Sequence, residues 1–243
     1  MADAQFAALL KRLEVVTTKL ESMDAMPAPP TAAASVVEEE RPSPMVSAFD
    51  DLIAGAVTAY VNAAAELKMP EVVKQAGLVK EAFVAQRAFL AKVAKCKKPG
   101  MSELQEALKG TSEAIGAVQA VATTDRRAPD YNHRQAMSEA VPALGWVMVE
   151  KTPGPHVSDM WECGAFNQQK IVVEFKGKDE AQVAFAKTMK PIFDALGAFI
   201  KEFHRTGLEW NPKGISIADA AAAAPPLAPP PLAPPPMAPP GGA

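Results

Sequence analysis

Cysteine and histidine are scarce in this 243-residue chain, and both shortages exclude classes of protein. The two cysteines, Cys96 and Cys163, are too few for the disulfide framework of a small secreted domain. The three histidines, His133, His156 and His204, lie far apart in the sequence, and neither cysteine is part of a CxxC pair. We therefore predict reduced thiols in the cytoplasm, no metal site and no other cofactor.

Excess positive charge and long apolar runs are also missing. The formal net charge is −3 and the pI is about 5.7, so bulk charge does not predict nucleic-acid binding. No apolar run reaches the roughly 18–20 residues that span a bilayer. The N-terminal stretch "MADAQFAALLKRLEVV" has an acid early and no uninterrupted apolar core, unlike a signal peptide. A soluble protein with neither nucleic-acid nor membrane partners is expected.

The motifs of common catalytic sites are missing as well. The sequence has no phosphate-binding glycine loop, no G-x-S-x-G nucleophile turn and no H-E-x-x-H zinc motif. Cys163 follows His156 by seven residues on one predicted helix. Two helical turns separate them, and at that distance a nucleophile and its base do not meet. The pattern favours a buried Cys163 thiol, a surface His156 and a protein that is not an enzyme.

Heptad spacing distinguishes residues 1–24. Six apolar residues recur at intervals of 3-4-3-4-3, which is the seam of a coiled coil. Because three heptads are marginal as an isolated helix, the pattern predicts a helix that forms by self-association. A helix folded back on its own domain is the alternative. The seam residues are Phe6, Leu9, Leu13, Val16, Leu20 and Met23.

Proline-rich composition marks two segments that lack helical periodicity. Residues 25–44 contain five prolines and an acidic triplet, which predicts a disordered, solvated linker. Residues 218–243 form an alanine- and proline-rich tail, also predicted to be disordered. Such runs adopt polyproline II helices that aromatic grooves bind; an inert spacer is the alternative. The candidate ligand residues of the tail are Pro225, Pro226, Pro229, Pro230, Pro231, Pro234, Pro235 and Pro236.

Residues 45–217 are predicted to fold as one helical domain. Apolar residues recur three and four positions apart, and breakers such as Pro70, "KKPG" (97–100) and "KTPGP" (151–155) divide the region into six helices. "IVVEF" (171–175) has strand-like composition but no partner strand, so a helix is favoured there. Short connections favour antiparallel neighbours. The predicted fold class is all-α: an antiparallel six-helix bundle, preceded by the short coiled-coil helix and followed by the disordered tail.

Three helix features follow from local sequence. Ser102 is predicted to cap the third helix, and Pro191 to bend the last helix rather than divide it. In "IKEFHRTGLEW" (200–210), Gly207 is predicted to occupy the left-handed position just after the helix. His204 would then lie in the last turn and direct positive charge outward.

Five stretches of the sequence form an ordered set. They are "KRLEVVTTKLE" (11–21), "VSAFDDLIAG" (46–55), "ALGW" (143–146), "PGPHVSDM" (153–160) and "IKEFHRTGLEW" (200–210). In the same order and with matching gaps, they resemble the N-terminal half of the cyclase-associated proteins. The first is similar to the family's tandem Arg-Leu-Glu repeat, and the other four are similar to signature stretches of its helical folded domain. The proline-rich tail follows where the family has its profilin-binding segment.

The resemblance implies an actin-binding protein of the cytoplasm and actin cytoskeleton. In this family the helical domain engages cofilin-decorated filaments at the pointed end and speeds subunit release, with the N-terminal helix building a homo-oligomer. That helix would also contact adenylyl cyclase, and the tail would recruit profilin or Src-homology-3 domains. A non-catalytic oligomeric scaffold, docking proline-binding partners through its tail, is the alternative function.

Departures from the family pattern bear on these expectations. The second repeat is Lys19-Leu20-Glu21 rather than Arg-Leu-Glu, which weighs against the cyclase contact, and Leu227 and Met237 are among the residues that interrupt the proline tract. The sequence ends at "GGA", without the family's WASP-homology motif or β-sheet domain. Nucleotide exchange on actin monomers is therefore not expected of it.

Rigid and cationic residues from two of the matching stretches make up the predicted actin- and cofilin-binding surface. Prolines fix the loop after "ALGW", and cations gather at the end of the last helix, where they can face acidic actin. The predicted surface residues are Lys151, Pro153, Pro155, His156, Lys201, His204 and Arg205.

Overall fold

Helices make up most of the part of the chain that the computed structural model describes, residues 43–122 and 125–223. Within these residues the one extended pairing is an isolated bridge between Cys96 and Ile215. "IVVEF" (171–175) is helical, so the all-α prediction is confirmed. The predicted heptad helix and the prolines of the tail lie outside the described residues.

The first helical segment continues through a π-helical turn. Helix α1 spans Pro44–Leu52, the π turn spans Ile53–Val57 and helix α2 spans Thr58–Glu66. The Ser43 hydroxyl accepts the backbone N–H of Val46 at 3.4 Å, and the proline that follows Ser43 needs no N–H partner in the first turn. The helix therefore begins where cap and proline coincide.

Five further long helical segments complete the bundle. Counting α1 with α2, and α5 with the 3-10 turn that extends it, the described ranges contain the six long segments that the breakers predicted. The segments after α2 are α3 (Pro70–Lys95), α4 (Met101–Ala120), α5 (Tyr131–Ala140) with the 3-10 turn (Val141–Met148), α6 (Gly154–Phe175) and α7 (Glu180–Phe203); the short α8 (Ile217–Ala223) follows.

Helix termini mostly follow local chemistry, with one correction. Ser102 does not cap α4, because Gly100 is the cap and its N–H donates to the Glu103 carboxylate at 3.1 Å. The Asp179 side chain caps α7 by accepting the N–H of Ala181 at 3.0 Å. Helix α7 runs through Pro191 without interruption, as predicted, and the expected bend there remains a prediction.

Helix α8 occupies the start of the region assigned to the tail. Ser216 caps it: the Ser216 hydroxyl accepts the N–H of Asp219 at 3.1 Å and donates to the Asp219 carboxylate at 2.8 Å. Alanine, the strongest helix former, makes up most of α8. Helix propensity thus extends regular structure to residue 223, inside the segment that the composition predicted to be disordered.

Consecutive helices pack against each other around an apolar core. Helix α6 lies between α5 and α7, and α4 packs on α3. Helices α5 and α6 approach closely at Gly164, where a Cβ atom would stand 2.3 Å from the carbonyl oxygen of Ala136. Aromatic rings fill the centre: Phe199 contacts Phe49, with centroids 5.0 Å apart, and Trp146, with centroids 6.3 Å apart.

Candidate binding surface

Two loops meet at one end of the bundle. Gly207 follows α7 and has φ of +141°, a backbone conformation that side chains rarely adopt. A Cβ atom on Gly207 would lie 2.4 Å from the carbonyl oxygen of Glu150, which belongs to the loop before α6. This backbone contact places Lys151 and Arg205, both exposed, on adjoining loops. The structure thus brings together the two sequence stretches that supplied the predicted surface.

His204 is buried, so its predicted role as an outward-facing cation is wrong. It has 0% relative exposure, and its ring lies 5.0 Å from Trp146 and 5.5 Å from Phe199, centroid to centroid. Nδ1 accepts the backbone N–H of Glu209 at 3.2 Å, whereas Nε2 is buried without a partner. Burial lowers the pKa of His204 to about 4, and the ring is therefore neutral at pH 7.

The predicted stop signal of α7 is also corrected. The helix ends at Phe203, and His204 is its cap residue, with φ of −140° and ψ of 33°. Gly207 lies three residues beyond that cap and donates its N–H to the His204 carbonyl at 3.1 Å. A left-handed glycine directly after the helix is therefore not present. The close approach of the Glu150 backbone is what requires glycine at position 207.

The remaining predicted surface residues differ in exposure. Lys151, Pro155 and Lys201 are exposed, as is Arg205, but Pro153 is buried as the cap residue of α6. His156 is partly buried, and its Nε2 lies 3.1 Å from the carbonyl oxygen of Pro142. Because a carbonyl only accepts, this hydrogen bond requires a proton on Nε2. Pro153 and His204 consequently support the surface from within instead of forming it.

A chain of buried hydrogen bonds lies beneath the surface at this end of the bundle. The Trp146 indole N–H donates to the Gln86 side chain at 3.2 Å, and the Gln86 amide donates to the Leu144 carbonyl at 2.6 Å. Trp146 in turn contacts the His204 ring. These links join α3, the 3-10 turn and the end of α7 into one rigid unit.

Residues 208–216 carry the chain from α7 across to α3, a role that sequence analysis missed. Trp210 packs edge-on against Phe89, with centroids 5.9 Å apart, and the Asn211 side chain donates to the Ala94 carbonyl at 3.1 Å. The tryptophan at position 210, just after a helix end, could have indicated this role, since half-buried aromatic side chains anchor loops to the core. Its partner on α3 is about 120 residues away, beyond any local pattern.

The two cysteines have opposite environments. Cys96 is buried at the end of α3, and burial raises the pKa of its thiol. Cys163 is exposed on α6, so the prediction of a buried Cys163 thiol is wrong. The reason lies in packing: α6 turns Gly164 and Asn167 toward the core, and Cys163 falls on the outer side of the helix.

Neither a metal cluster nor a membrane helix is found in the described ranges. Across residues 43–122 and 125–223, no group of three or more histidine, cysteine, aspartate or glutamate residues is arranged to hold a metal ion. No helix in the same ranges combines the length and the apolar character needed to cross a membrane. What the surface offers chemically is a set of exposed cations on a rigid support.

Two family models match the chain. The model described as "CAP, N-terminal domain" matches residues 49–208, and the one described as "CAP N-terminal conserved motif" matches residues 7–39. The first covers the helices that form the candidate surface. The second covers most of the predicted heptad helix and the linker.

Curated relatives and solved structures agree with these matches. The adenylyl cyclase-associated protein of Dictyostelium discoideum is 34% identical over 231 residues, 93% of this chain and 49% of the relative. The human adenylyl cyclase-associated protein 1 is 33% identical over 214 residues, 88% of this chain and 44% of the relative. The chain thus spans about half the length of these relatives.

Two solved N-terminal domains share the helical fold. One is the CAP N-terminal domain from Dictyostelium discoideum, with a TM-score of 0.68 and 32% identity, covering 71% of this chain and 98% of that domain. The other is a crystal structure of a CAP N-terminal domain described as indicating variable oligomerisation. It has a TM-score of 0.69 and 33% identity, and covers 72% of this chain and 94% of that domain. The resemblance inferred from the five sequence stretches is confirmed.

Proposed function

Because the chain belongs to the adenylyl cyclase-associated protein family, we propose that it is a non-catalytic, actin-binding regulator of actin dynamics. It promotes cofilin-dependent filament disassembly and depolymerisation at pointed ends. The match of residues 49–208 to the family's N-terminal domain is the observation that carries this proposal. The chain acts by binding alone and resides in the cytoplasm, on the actin cytoskeleton.

The cationic bundle end is the proposed contact with cofilin-decorated actin. Lys151 and Arg205 are exposed on two loops joined by the Gly207–Glu150 backbone contact, and Lys201 is exposed in the last turn of α7. Mobile charges lose entropy when they bind, and a rigid support reduces that cost. Exposed cations also speed encounter with an acidic partner, an effect that weakens as salt rises. Pro155 and His156 complete the surface on the α6 side.

Self-association is the proposed source of affinity. A weak contact between one bundle and one filament end gains from neighbouring bundles held close by, because linkage raises the effective concentration of each further contact. The heptad residues Phe6 to Met23 lie outside the described residues, and their role in oligomerisation is part of the proposal. The described oligomerisation of a similar N-terminal domain supports it.

Further partners follow from the relatives' names and from the tail. The relatives are named for association with adenylyl cyclase, which makes that enzyme a proposed partner of this chain. Profilin or Src-homology-3 domains are proposed partners of the prolines from Pro225 to Pro236, because such domains bind extended proline-rich segments.

Pointed-end depolymerisation of cofilin-coated filaments, measured with and without the full chain, tests the proposal. Replacing Lys151, Lys201 and Arg205 together by alanine is expected to reduce the stimulated rate at least tenfold, and less so in high salt. The matched control replaces three exposed lysines in the middle of α3, α4 and α7 by alanine and is expected to keep the rate. Its substitutions are Lys80→Ala, Lys109→Ala and Lys187→Ala.

The outcomes of that experiment separate the surface from the function. If the wild-type chain does not accelerate depolymerisation, the proposed function is wrong. If both triple variants keep full activity and their helical circular dichroism, the function stands and the proposed surface is wrong. Equal losses in both variants would point to net charge instead of this surface.

A non-catalytic scaffold that docks proline-binding partners is the second candidate function. The repeated Pro/Leu/Met pattern of the tail favours it. Deleting residues 221–243 distinguishes the two functions. The scaffold requires the deleted segment to capture its partners, whereas filament depolymerisation by the bundle requires it little.

A further inference from the structure

A groove between α6 and α7 has no role in the proposed actin surface. Its volume is about 420 Å³, and its wall includes Val157 and Trp161 from α6 and Phe193 and Gly197 from α7. Val157 lies in the first turn of α6, and Gly197 lies about two turns before the end of α7. The groove therefore opens near the bundle end from which the chain continues to α8.

Aromatic side chains line this groove. Trp161 stacks on Phe193 with ring centroids 5.2 Å apart and planes inclined by 26°. Phe193 is almost wholly buried, at 4% exposure, whereas Trp161 is half-buried and keeps part of its ring open. An apolar ring held against a rigid partner is the surface on which polyproline II helices are recognised.

Gly197 keeps the groove open. It lies in the interior of α7, where glycine is disfavoured because it loses more backbone freedom than other residues. A Cβ atom at this position would meet no atom within 4 Å, so packing between the helices does not require glycine here. A side chain at position 197 would instead extend into the groove space. Close approach of a ligand to the backbone is one reason to keep glycine at such a place.

Three charged residues line the groove: Lys190 and Asp194 compensate each other, and Glu162 is exposed to solvent. Lys190 and Asp194 form an ion pair one helical turn apart, with Nζ and Oδ2 2.7 Å apart. A ligand without charged side chains therefore fits better than a strongly charged one. Residues 224–243 of this chain contain alanine, proline, leucine, methionine and glycine only, and no charged side chain.

We propose that the proline-rich tail of this chain docks as a polyproline II helix in the α6–α7 groove of its own bundle. The chain leaves the bundle beside α3, where the Lys97 N–H donates to the Ile215 carbonyl at 3.0 Å. Crossing two or three helices at 8–10 Å each is a path of about 16–30 Å. The 20 residues from 224 to 243 reach about 60 Å at 3.1 Å per residue, and can span it.

Docking of this kind limits access to the tail. A proline-binding domain would compete with the groove for the same segment, so its apparent affinity for the full chain is lower than for the free tail. A variant with a filled groove is expected to bind such domains more tightly than the wild-type chain.

A nitroxide on Cys163 tests the docking in the full chain. Cys163 is exposed on α6, two residues from Trp161, and Cys96 is buried, so labelling is selective for Cys163. We expect the label to broaden the amide resonances of Leu227, Leu232 and Met237. Gly197→Leu fills the groove and is expected to abolish the broadening.

A matched glycine controls for the size and helix propensity of the new leucine. Gly77 lies inside α3, and a Cβ atom there also meets nothing within 4 Å. Gly77→Leu is therefore expected to leave the broadening of the tail amides unchanged. Circular dichroism of both leucine variants verifies that the bundle is folded.

Three results would overturn the proposal. The first is an absence of tail broadening in the wild-type chain. The second is broadening that persists in Gly197→Leu. The third is broadening in a mixture of spin-labelled chain and isotopically labelled Cys163→Ser chain, because the tail would then come from a second copy. None of these measurements depends on actin, so their failure is distinct from failure of the proposed function.

Discussion

Acidification is expected to destabilise this protein through one buried histidine. The pKa of His204 is about 4 in the folded chain, against an ordinary value of 6.5, because the ring is buried against Trp146 and Phe199. Above pH 6.5 the ring is neutral in both states, and stability does not depend on it. Between pH 6.5 and about 4 the unfolded chain takes up a proton that the folded chain excludes, so the free energy of unfolding falls with pH.

The magnitude of this effect follows from the two pKa values. Each pH unit between them corresponds to about 1.36 kcal/mol, and the whole window amounts to about 3 kcal/mol. About 2.5 kcal/mol of it is lost by pH 4.5. For a protein of ordinary stability, at about 5–15 kcal/mol, this is a large fraction.

The variant His204→Asn isolates the effect of protonation. The asparagine Oδ1 can take the position of Nδ1 and accept the Glu209 N–H, but the asparagine side chain does not titrate. At pH 7 the variant is expected to be less stable by about 1–3 kcal/mol, since it loses the ring contacts. The difference from wild type is expected to shrink by about 2.5 kcal/mol between pH 7 and pH 4.5. Urea unfolding at several pH values measures it.

Parallel pH profiles of wild type and His204→Asn would refute this reasoning. So would an NMR titration that places the His204 pKa near 6.5 in the folded chain. His133, whose pKa burial also lowers, is present in both proteins and cancels in the comparison.

Two glycines at close backbone approaches give further predictions. Gly207→Ala is expected to lower the free energy of unfolding by about 2 kcal/mol or more, because φ is positive and the new Cβ would meet the Glu150 carbonyl at 2.4 Å. Gly164→Ala is expected to cost about 1–3 kcal/mol, since its Cβ would lie 2.3 Å from a carbonyl of α5. Gly77→Ala is the control in the same urea titrations: its Cβ atom would meet nothing within 4 Å, so the free energy of unfolding should rise by up to about 1 kcal/mol. Equal changes at the three sites would contradict both predictions.

Local sequence was sufficient for the helices but not for the side of each helix that is buried. Apolar spacing and proline or glycine breakers placed the six helical segments, because a helix forms from interactions within four residues. Helix α6 shows the limit of this approach. It exposes Phe166 at 66% and Val173 at 69%, and buries Gly164 and Asn167. The tight approach of α5 selects a small residue for the buried face, whatever its hydrophobicity.

The sequence by itself determined the helical composition, the proline-rich segments and, through five ordered stretches, the family. Tertiary structure alone decided which residues of the 200–210 stretch are buried and which are exposed. His204 and Arg205 are neighbours in the chain, yet one is buried and the other exposed. The burial of His204 depends on Trp146, 58 residues earlier in the sequence, and the conformation of Gly207 depends on the backbone of Glu150. Contacts over such separations form only when the helices pack, and no local pattern encodes them.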